Sequence, residues 1–281
     1  MSRRHLIRRR LRTLGEISEI LDSMRTLAVI EARRLTRAVD CQRDLVEALK
    51  RMAAELLRHF PWLQPDSAAV GEAYLILGSE RGFCGDFNAR LRWALEQRLK
   101  SGNRRAPPII AVGTKVATEL AALDAPIFCQ LQGPLTAEES GELLPNLAAS
   151  IQQLLASHGM PHLIVLHHAD ETGTITETPL TPPFRGLSQA QERGHPPLLY
   201  ESPEVVFHRL TEHYLFAVLR WLLDRSLLAE HQFRIRHLDG ATRRIGETVA
   251  ALRTTGNRMR QEEITEELEV ILLGAEAIDG I

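Results

Sequence analysis

Apolar residues return at every seventh position through the first sixty residues of the chain. One seam runs Leu14, Leu21, Ala28, Leu35, Gln42, Leu49, Leu56, and a companion runs Ile17, Met24, Glu31, Ala38, Leu45, Met52. Eleven of these 13 positions are apolar over six heptads, a pattern that predicts coiled coil rather than a globular helix. At about 1.5 Å per residue the predicted rod is roughly 80 Å long. A second rod is predicted at the other end. Ser202-Pro203-Glu204 supplies an N-cap, a proline at the first helical position and an acid in the first turn. Beyond it Tyr214, Trp221, Leu228, Ile235 and then Leu238, Ile245, Leu252, Met259 step by sevens, with one shift of seam.

The middle of the chain has a different rhythm. Short apolar runs alternate with helical patterns, which predicts an α/β domain. Strands are expected at Ala73 to Gly78, Ile109 to Val112, Ile127 to Gln130 and His162 to His168, with an edge strand at Thr174 to Thr178. Helices are expected at Asn88 to Lys100, Thr114 to Leu123 and Ala137 to Ser157, the last with Pro145 as a candidate break. Residues 180 to 202 read as a polar, proline-rich connection. All 14 prolines lie between Pro61 and Pro203, so both terminal stretches are free of the residue that breaks helices at about 3 kcal/mol. The predicted fold class is α/β: a long antiparallel coiled coil of the N- and C-terminal helices plus a central Rossmann-like domain. The expected divisions are 1–62 for the first helix, 63–202 for the central domain and 203–281 for the last helix. Two unrelated helices in a bundle are the alternative, but the middle offers no matching apolar rod to pack against.

Composition narrows the classes of function. Apolar residues are 44% and charged residues 25%, ordinary for a folded soluble domain, and no run of eighteen apolar residues reads as a membrane span. With 34 bases and 36 acids the net charge is −2, so no global field calls for nucleic acid. Lysine occurs only at Lys50, Lys100 and Lys115, which leaves 31 arginines. Cys41, Cys84 and Cys129 are an odd, widely spaced set, neither a disulfide framework nor a metal site, as expected of a reducing compartment. The arginine-rich start MSRRHLIRRR has the composition of a targeting peptide, yet the helical pattern is already running by Leu6 and Ile7, which leaves no room for a removable leader.

The one glycine-rich turn after a predicted strand is Gly78-Ser-Glu-Arg-Gly82-Phe-Cys-Gly85. It is neither G-x-G-x-x-G nor a G-x-x-x-x-G-K-[ST] loop, and Glu80 and Asp86 would repel a phosphate. Cys84 has no paired histidine in the sequence and reads as a small buried thiol. His167, His168 and Asp170 suggest a metal, but adjacent strand residues point to opposite faces, so a strand end with surface polar groups is the expectation. No catalytic, cofactor or metal constellation is predicted. Two basic clusters remain. Arg3, Arg4, Arg8, Arg9, Arg10 and Arg12 lie on the first rod, and Arg234, Arg236, Arg243, Arg244, Arg253, Arg258 and Arg260 on the second. On paired rods they suit an acidic protein sleeve.

Three ordered segments resemble the gamma subunit of F-type ATP synthases, and the likeness spans nearly the full chain. Ile7-Arg-Arg-Arg-Leu11 with Ile17, Ile20, Met24, Ala28 and Arg33-Arg34 is similar to that family's opening helix. The loop Gly78 to Asn88 looks like its S-D-R-G-L-C-G-x-x-N strand-end motif. Ala241-Thr242, then Asn257-Arg258-x-Arg260-Gln261-x-x-Ile264-Thr265-x-Glu267-Leu268-x-x-Ile271 and Gly274-Ala275, match most specifically. Departures are Gly15, Glu16 and Asp22 in the first helix and Asp86 after Gly85. The chloroplast-type insertion with paired cysteines is missing from the sequence. This points to a divergent bacterial-type member, with an alternative F-type complex as a candidate assembly.

The resemblance implies a mechanical role as central rotor shaft, coupling ion flow through a membrane rotor to ATP synthesis or hydrolysis in a catalytic head. It implies a non-catalytic subunit without cofactor, metal, nucleic acid or direct small-molecule ligand. Its implied partners are the alpha and beta subunits of the head, the epsilon subunit and the membrane c-ring. Its implied place is peripheral, on the cytoplasmic side of the bacterial inner membrane. By motif position, partner contacts are expected at Ile7, Arg10, Met24, Arg33 and Arg34. More are expected at Asn257, Arg258, Arg260, Gln261, Thr265, Glu267 and Leu268, with Gly82 and Gly85 marking a foot loop. Arg260, Gln261 and Thr265 would meet a beta-subunit loop and Met24 the beta-subunit lever. Two other classes compete: a coiled-coil adaptor binding nucleic acid through its arginines, and a stand-alone α/β enzyme with helical dimerisation arms.

Overall fold

The computed structural model describes residues 3–64, 71–101, 107–123, 126–159, 161–170, 172–184, 187 and 195–279. Helix α1 spans Arg3–His59 and helix α5 spans Pro203–Asp279. Between them lie β1 (Glu72–Leu77), α2 (Phe87–Ser101), β2 (Ile109–Val112), α3 (Thr114–Leu120), β3 (Ile127–Leu131), α4 (Ala137–Ser157), β4 (His162–His168) and β5 (Ile175–Pro179). Contacts divide the chain into two compact units, one of residues 1–27 with 235–281, the other of residues 28–234. Of the connection expected over 180–202, residues 185–186 and 188–194 lie outside the described ones.

In the larger unit the strands form one sheet in the order β3-β2-β1-β4-β5, parallel except for β5, which pairs antiparallel with β4. The central strands read as apolar runs because both faces are covered. Their period of two sends alternate residues to opposite layers. Ala73, Leu75, Leu77, Ile110, Val112, Leu163 and Val165 pack with Leu147, Ile151 and Leu154 of α4, Val46 of α1 and Ala217 to Leu223 of α5. Tyr74, Ile76, Ile109, Ala111 and Leu166 pack with Phe87, Leu91 and Leu95 of α2, Val116 and Leu120 of α3, and Ala229 and Phe233 of α5. Helix α5 therefore crosses from one face of the sheet to the other at the carboxyl ends of the strands.

Helix α4 runs unbroken through Pro145, against the break considered from sequence. Proline forfeits one hydrogen bond there, while buried Leu147, Ile151 and Leu154 anchor the turns beyond it. Its start is a reciprocal cap: the Thr136 hydroxyl accepts from the Glu139 N–H (3.3 Å), and Glu139 Oε2 accepts from the Leu135 N–H (2.7 Å).

In the smaller unit α1 and α5 run antiparallel. Arg25 pairs with Asp239, and the Gly256 backbone approaches Ile7, so going back along one helix means going forward along the other. On α5 the shielded positions include Leu238, Thr242, Ile245, Val249, Leu252, Gly256, Met259 and Glu263, alternating by fours and threes, with Ile235, Gly240 and Ala241 also half-buried. The seam Leu14, Leu21, Ala28, Leu35, Gln42, Leu49, Leu56 of α1 is buried or half-buried throughout. Its companion holds at half of the expected positions. Met24, Glu31 and Ala38 are half-buried, whereas Ile17, Leu45 and Met52 are exposed, and Ser18, Ala32, Val39, Val46 and Ala53, each one residue past an expected position, are shielded. Val46 and Ala53 belong to the larger unit, where Val46 joins the sheet core and Ala53 packs with Leu56, Leu57 and Leu210.

Candidate functional site

The loop after β1 is built around hydrogen bonds among its own residues. The Ser79 N–H donates to Asn88 Oδ1 (3.0 Å), and Asn88 Nδ2 donates back to Ser79 Oγ (2.7 Å), tying the strand end to the first turn of α2. The Cys84 thiol donates to Ser79 Oγ (3.3 Å). Burial, eased by that hydrogen bond, pushes the thiol pKa up, so the sulfur is a structural thiol and not a thiolate nucleophile. Phe83 and Gly85 both take left-handed φ values, 64° and 59°, and Phe83 is left 53% exposed.

Glu80 turns inward instead of facing solvent. Its carboxylate accepts from the Thr114 N–H (2.9 Å), the Thr114 hydroxyl (2.7 Å) and the Gly133 N–H (2.9 Å). Burial works against ionisation, but these hydrogen bonds outweigh it and hold the carboxyl below its ordinary range. Gly113, at φ 108°, permits the turn: a Cβ there would lie 2.6 Å from the Ser79 carbonyl oxygen. Where an open parallel sheet commonly takes an anion, this chain supplies its own carboxylate.

The two strand-end histidines are fully buried, which corrects the expectation of surface polar groups. They do point to opposite faces. His167 donates from Nδ1 to the His168 carbonyl (3.0 Å) and its Nε2 accepts from the Thr178 hydroxyl (3.1 Å). His168 donates from Nε2 to the Phe87 carbonyl (2.9 Å) and stacks on the Phe87 ring at 4.0 Å. The reason is that β4 is an interior strand, covered on both faces. Among the described residues no three His, Cys, Asp or Glu side chains converge as a metal set. A groove of about 530 Å³ between α2 and β5 is lined by Trp93, Ala94, Gln97 and Ile175, with Arg98 and Glu177 ion-paired across it (Nε to Oε1, 2.7 Å). It holds no nucleophile and base.

The stretch of α5 that passes over the strand ends carries a polar set that sequence reasoning missed. Asp224 is fully buried and accepts from the Ser140 hydroxyl (2.6 Å) and Arg220 Nε (2.8 Å), while Arg220 Nη2 reaches the Ala137 carbonyl (2.7 Å). Ser226 donates to the Leu77 carbonyl (3.0 Å) and Arg225 to the Ala169 carbonyl (2.8 Å). Arg234 is buried, ion-paired with Glu230 and within 3.5 Å of the Gly82 carbonyl, so it does not belong to an outward basic cluster. Arg243 and Arg258 are exposed but paired along the helix with Glu247 and Glu262, each at 3.3 Å.

The expected contact residues fall in both units. In the smaller one, Ile7 lies against Gly256, and Met24 is half-buried. Arg10, Asn257, Arg258, Arg260, Gln261, Thr265, Glu267 and Leu268 are all exposed. Side chains beyond Glu269, including Ile271, Gly274 and Ala275, lie outside the described set. In the larger unit Arg33 and Arg34 are exposed, Arg34 pairing with Glu31 at 3.1 Å, and Gly82 and Gly85 sit in the loop already described. Leu6, Ile17, Ile20 and Leu27 add exposed apolar side chains along α1. Among the described residues no helix is long and apolar enough to cross a membrane.

A sequence model of the family described as ATP synthase matches residues 4–278. The ATP synthase gamma chain of Verminephrobacter eiseniae is 23% identical, covering 98% of this chain and 98% of that one. The gamma chain of Moorella thermoacetica is 26% identical over 97% and 98%. Among solved structures, a chain of the Euglena gracilis mitochondrial ATP synthase, in a complex of OSCP, F1 and c-ring, superposes with a TM-score of 0.60 at 15% identity. It covers 98% of this chain and 94% of its own. A chain of the Tetrahymena thermophila central stalk and c-ring gives 0.56 at 15%.

Proposed function

The chain belongs to the ATP synthase gamma family, and from that premise we propose that it is the central rotor shaft of an F-type ATP synthase, the part that couples rotation to catalysis in the head. The observation that carries this reading is the antiparallel pairing of α1 and α5 through one shared seam, together with exposed motif residues along both helices. A seam of that kind makes a stiff two-helix rod, and a rod without two-fold symmetry presents a different face in each direction.

In this reading Ile7, Arg10, Met24, Arg33, Arg34, Asn257, Arg258, Arg260, Gln261, Thr265, Glu267 and Leu268 meet the alpha and beta subunits. The sheet domain, with the loop of Gly82 and Gly85, is the foot that meets the epsilon subunit and the membrane c-ring. The chain is then peripheral, on the cytoplasmic side of a bacterial inner membrane, and takes part in ion transport without crossing the lipid. ATP chemistry belongs to the head, since the chain's own strand-end crevice is filled by Glu80 and by side chains of α5.

A reversible cross-link tests the shaft reading. Cysteine replaces Met24 and faces a cysteine in the beta-subunit lever, with Cys41, Cys84 and Cys129 first changed to serine or alanine. Disulfide formation is expected to remove most multi-site ATP hydrolysis, and a reductant to restore it. Undiminished hydrolysis with the cross-link complete would make the chain a static scaffold.

A further inference from the structure

Five polar side chains of α5 grip the sheet domain across a stretch from Arg220 to Arg234, about 21 Å of helix. Arg220, Asp224, Arg225, Ser226 and Arg234 are placed, at about 100° per residue, around the helix circumference with no gap wider than about 100°. Their partners are spread over the domain. Arg220 and Asp224 hold Ala137 and Ser140 at the start of α4. Ser226 holds Leu77 at the end of β1, Arg225 holds Ala169 just past β4, and Arg234, ion-paired with Glu230, approaches Gly82 in the loop after β1.

Apolar packing resists separation of two elements but is non-directional, so a smooth apolar seam does little to stop a helix from rolling about its own axis. Hydrogen bonds are directional and weaken steeply when bent. A ring of them anchored at four separate elements turns rolling into the simultaneous loss of several buried contacts. The Arg220 corner is the tightest. Its guanidinium passes so close to α4 that a Cβ on Gly141 would lie 2.3 Å from Nη1. Asp224 is fully buried, so neither of its hydrogen bonds can be replaced by water.

We infer that the Arg220–Asp224–Ser140 lock is the torque joint of the molecule: it positions α5 rotationally in the sheet domain, so that twist carried by the helix moves the domain without slip. Arg220, Asp224 and Ser140 are positioning residues in this scheme. The inference rests on the shaft reading, because only a turning helix loads the joint.

The test uses the complete ATP synthase in vesicles, carrying Asp224→Ala, Asp224→Asn or Gly141→Ala. Asparagine keeps shape and one acceptor but loses the charge that holds Arg220, and alanine at 141 pushes the guanidinium out of its seat. Two quantities are read: ions pumped per ATP hydrolysed, and the angular fluctuation of a bead fixed to the sheet domain while the head is held. Expected for Asp224→Ala are at least a two-fold rise in angular variance and a lower pumping ratio, with the KM for ATP unchanged. The two milder variants should fall between it and wild type. A change in thermal stability alone would not move the pumping ratio, so wild-type ratio and variance in fully assembled variants overturn the lock. If Asp224→Ala does not assemble, the other two decide by the same criterion. A wild-type complex whose bead does not turn on ATP would sink the shaft reading itself.

Discussion

Buried imidazoles give the chain an acid-sensitive interior. Burial pushes the pKa values of His167, His168 and His231 down to about 4, outweighing the hydrogen bonds that each ring makes. An unfolded histidine titrates near 6.5, so between pH 6.5 and 4 the unfolded chain binds more protons than the folded one. The stability these groups contribute is complete above about pH 6.5 and is lost as pH falls towards 4. Glu230 works the other way, since burial raises its carboxyl to about 7 despite Arg234. Three groups oppose one, and the net effect of acidification is a loss, on the order of 2 kcal/mol for each histidine by pH 5. Urea unfolding of the chain at pH 7 and pH 5 checks this. An unfolding free energy equal or higher at pH 5 would contradict it.

At the scale of the element, the two helices that pair in the smaller unit contain glycines where alanine would serve. A Cβ on Gly256 would meet Ile7 Cγ2 at 3.6 Å, an ordinary contact, and one on Gly246 would meet nothing. Alanine is favoured over glycine inside a helix by about 1 kcal/mol. Gly246→Ala should raise stability by about that amount, and Gly256→Ala by slightly more because the methyl is shielded. Thermal unfolding of both variants decides it, and a lowered midpoint for Gly256→Ala would refute the seam assignment. The same helices mark how far the amino-acid pattern can be read. Ile109–Val112, Ala137–Ser157 and His162–His168 match the predicted elements to the residue, because apolar runs bounded by glycine, proline and capping residues leave little choice. The first seam of α1 was equally legible. Its second seam was legible at Met24, Glu31 and Ala38 but not at Ile17, Leu45 and Met52, which look more like core than Ser18, Val46 and Ala53, the shielded side chains one position on. The grip of α5 was illegible for another reason. Arg220, Asp224 and Arg234 resemble ordinary surface charges until Ala137, Ser140 and Gly82, far away in sequence, are brought beside them.

For the whole molecule, assembly and coupling should be separable by length. Shortening α5 from its C-terminus back past Arg260 removes Arg260, Gln261 and Thr265, all exposed, and leaves the sheet domain and most of the shared seam. The shortened chain should still assemble with the head while ATP-driven ion pumping drops. Pumping at the wild-type rate in the truncated complex would withdraw those contact assignments. The carboxylate of Glu80 has a consequence for the molecule in its working place. A tethered group acts at an effective concentration set by the fold, so a dissolved anion enters its place only by outcompeting it there. ATP, ADP or phosphate would meet a built-in competitor at the ends of β1, β2 and β3. A machine part bathed in the fuel of its own motor thus carries, at these strand ends, an occupant covalently its own, which anything from the surroundings must first displace.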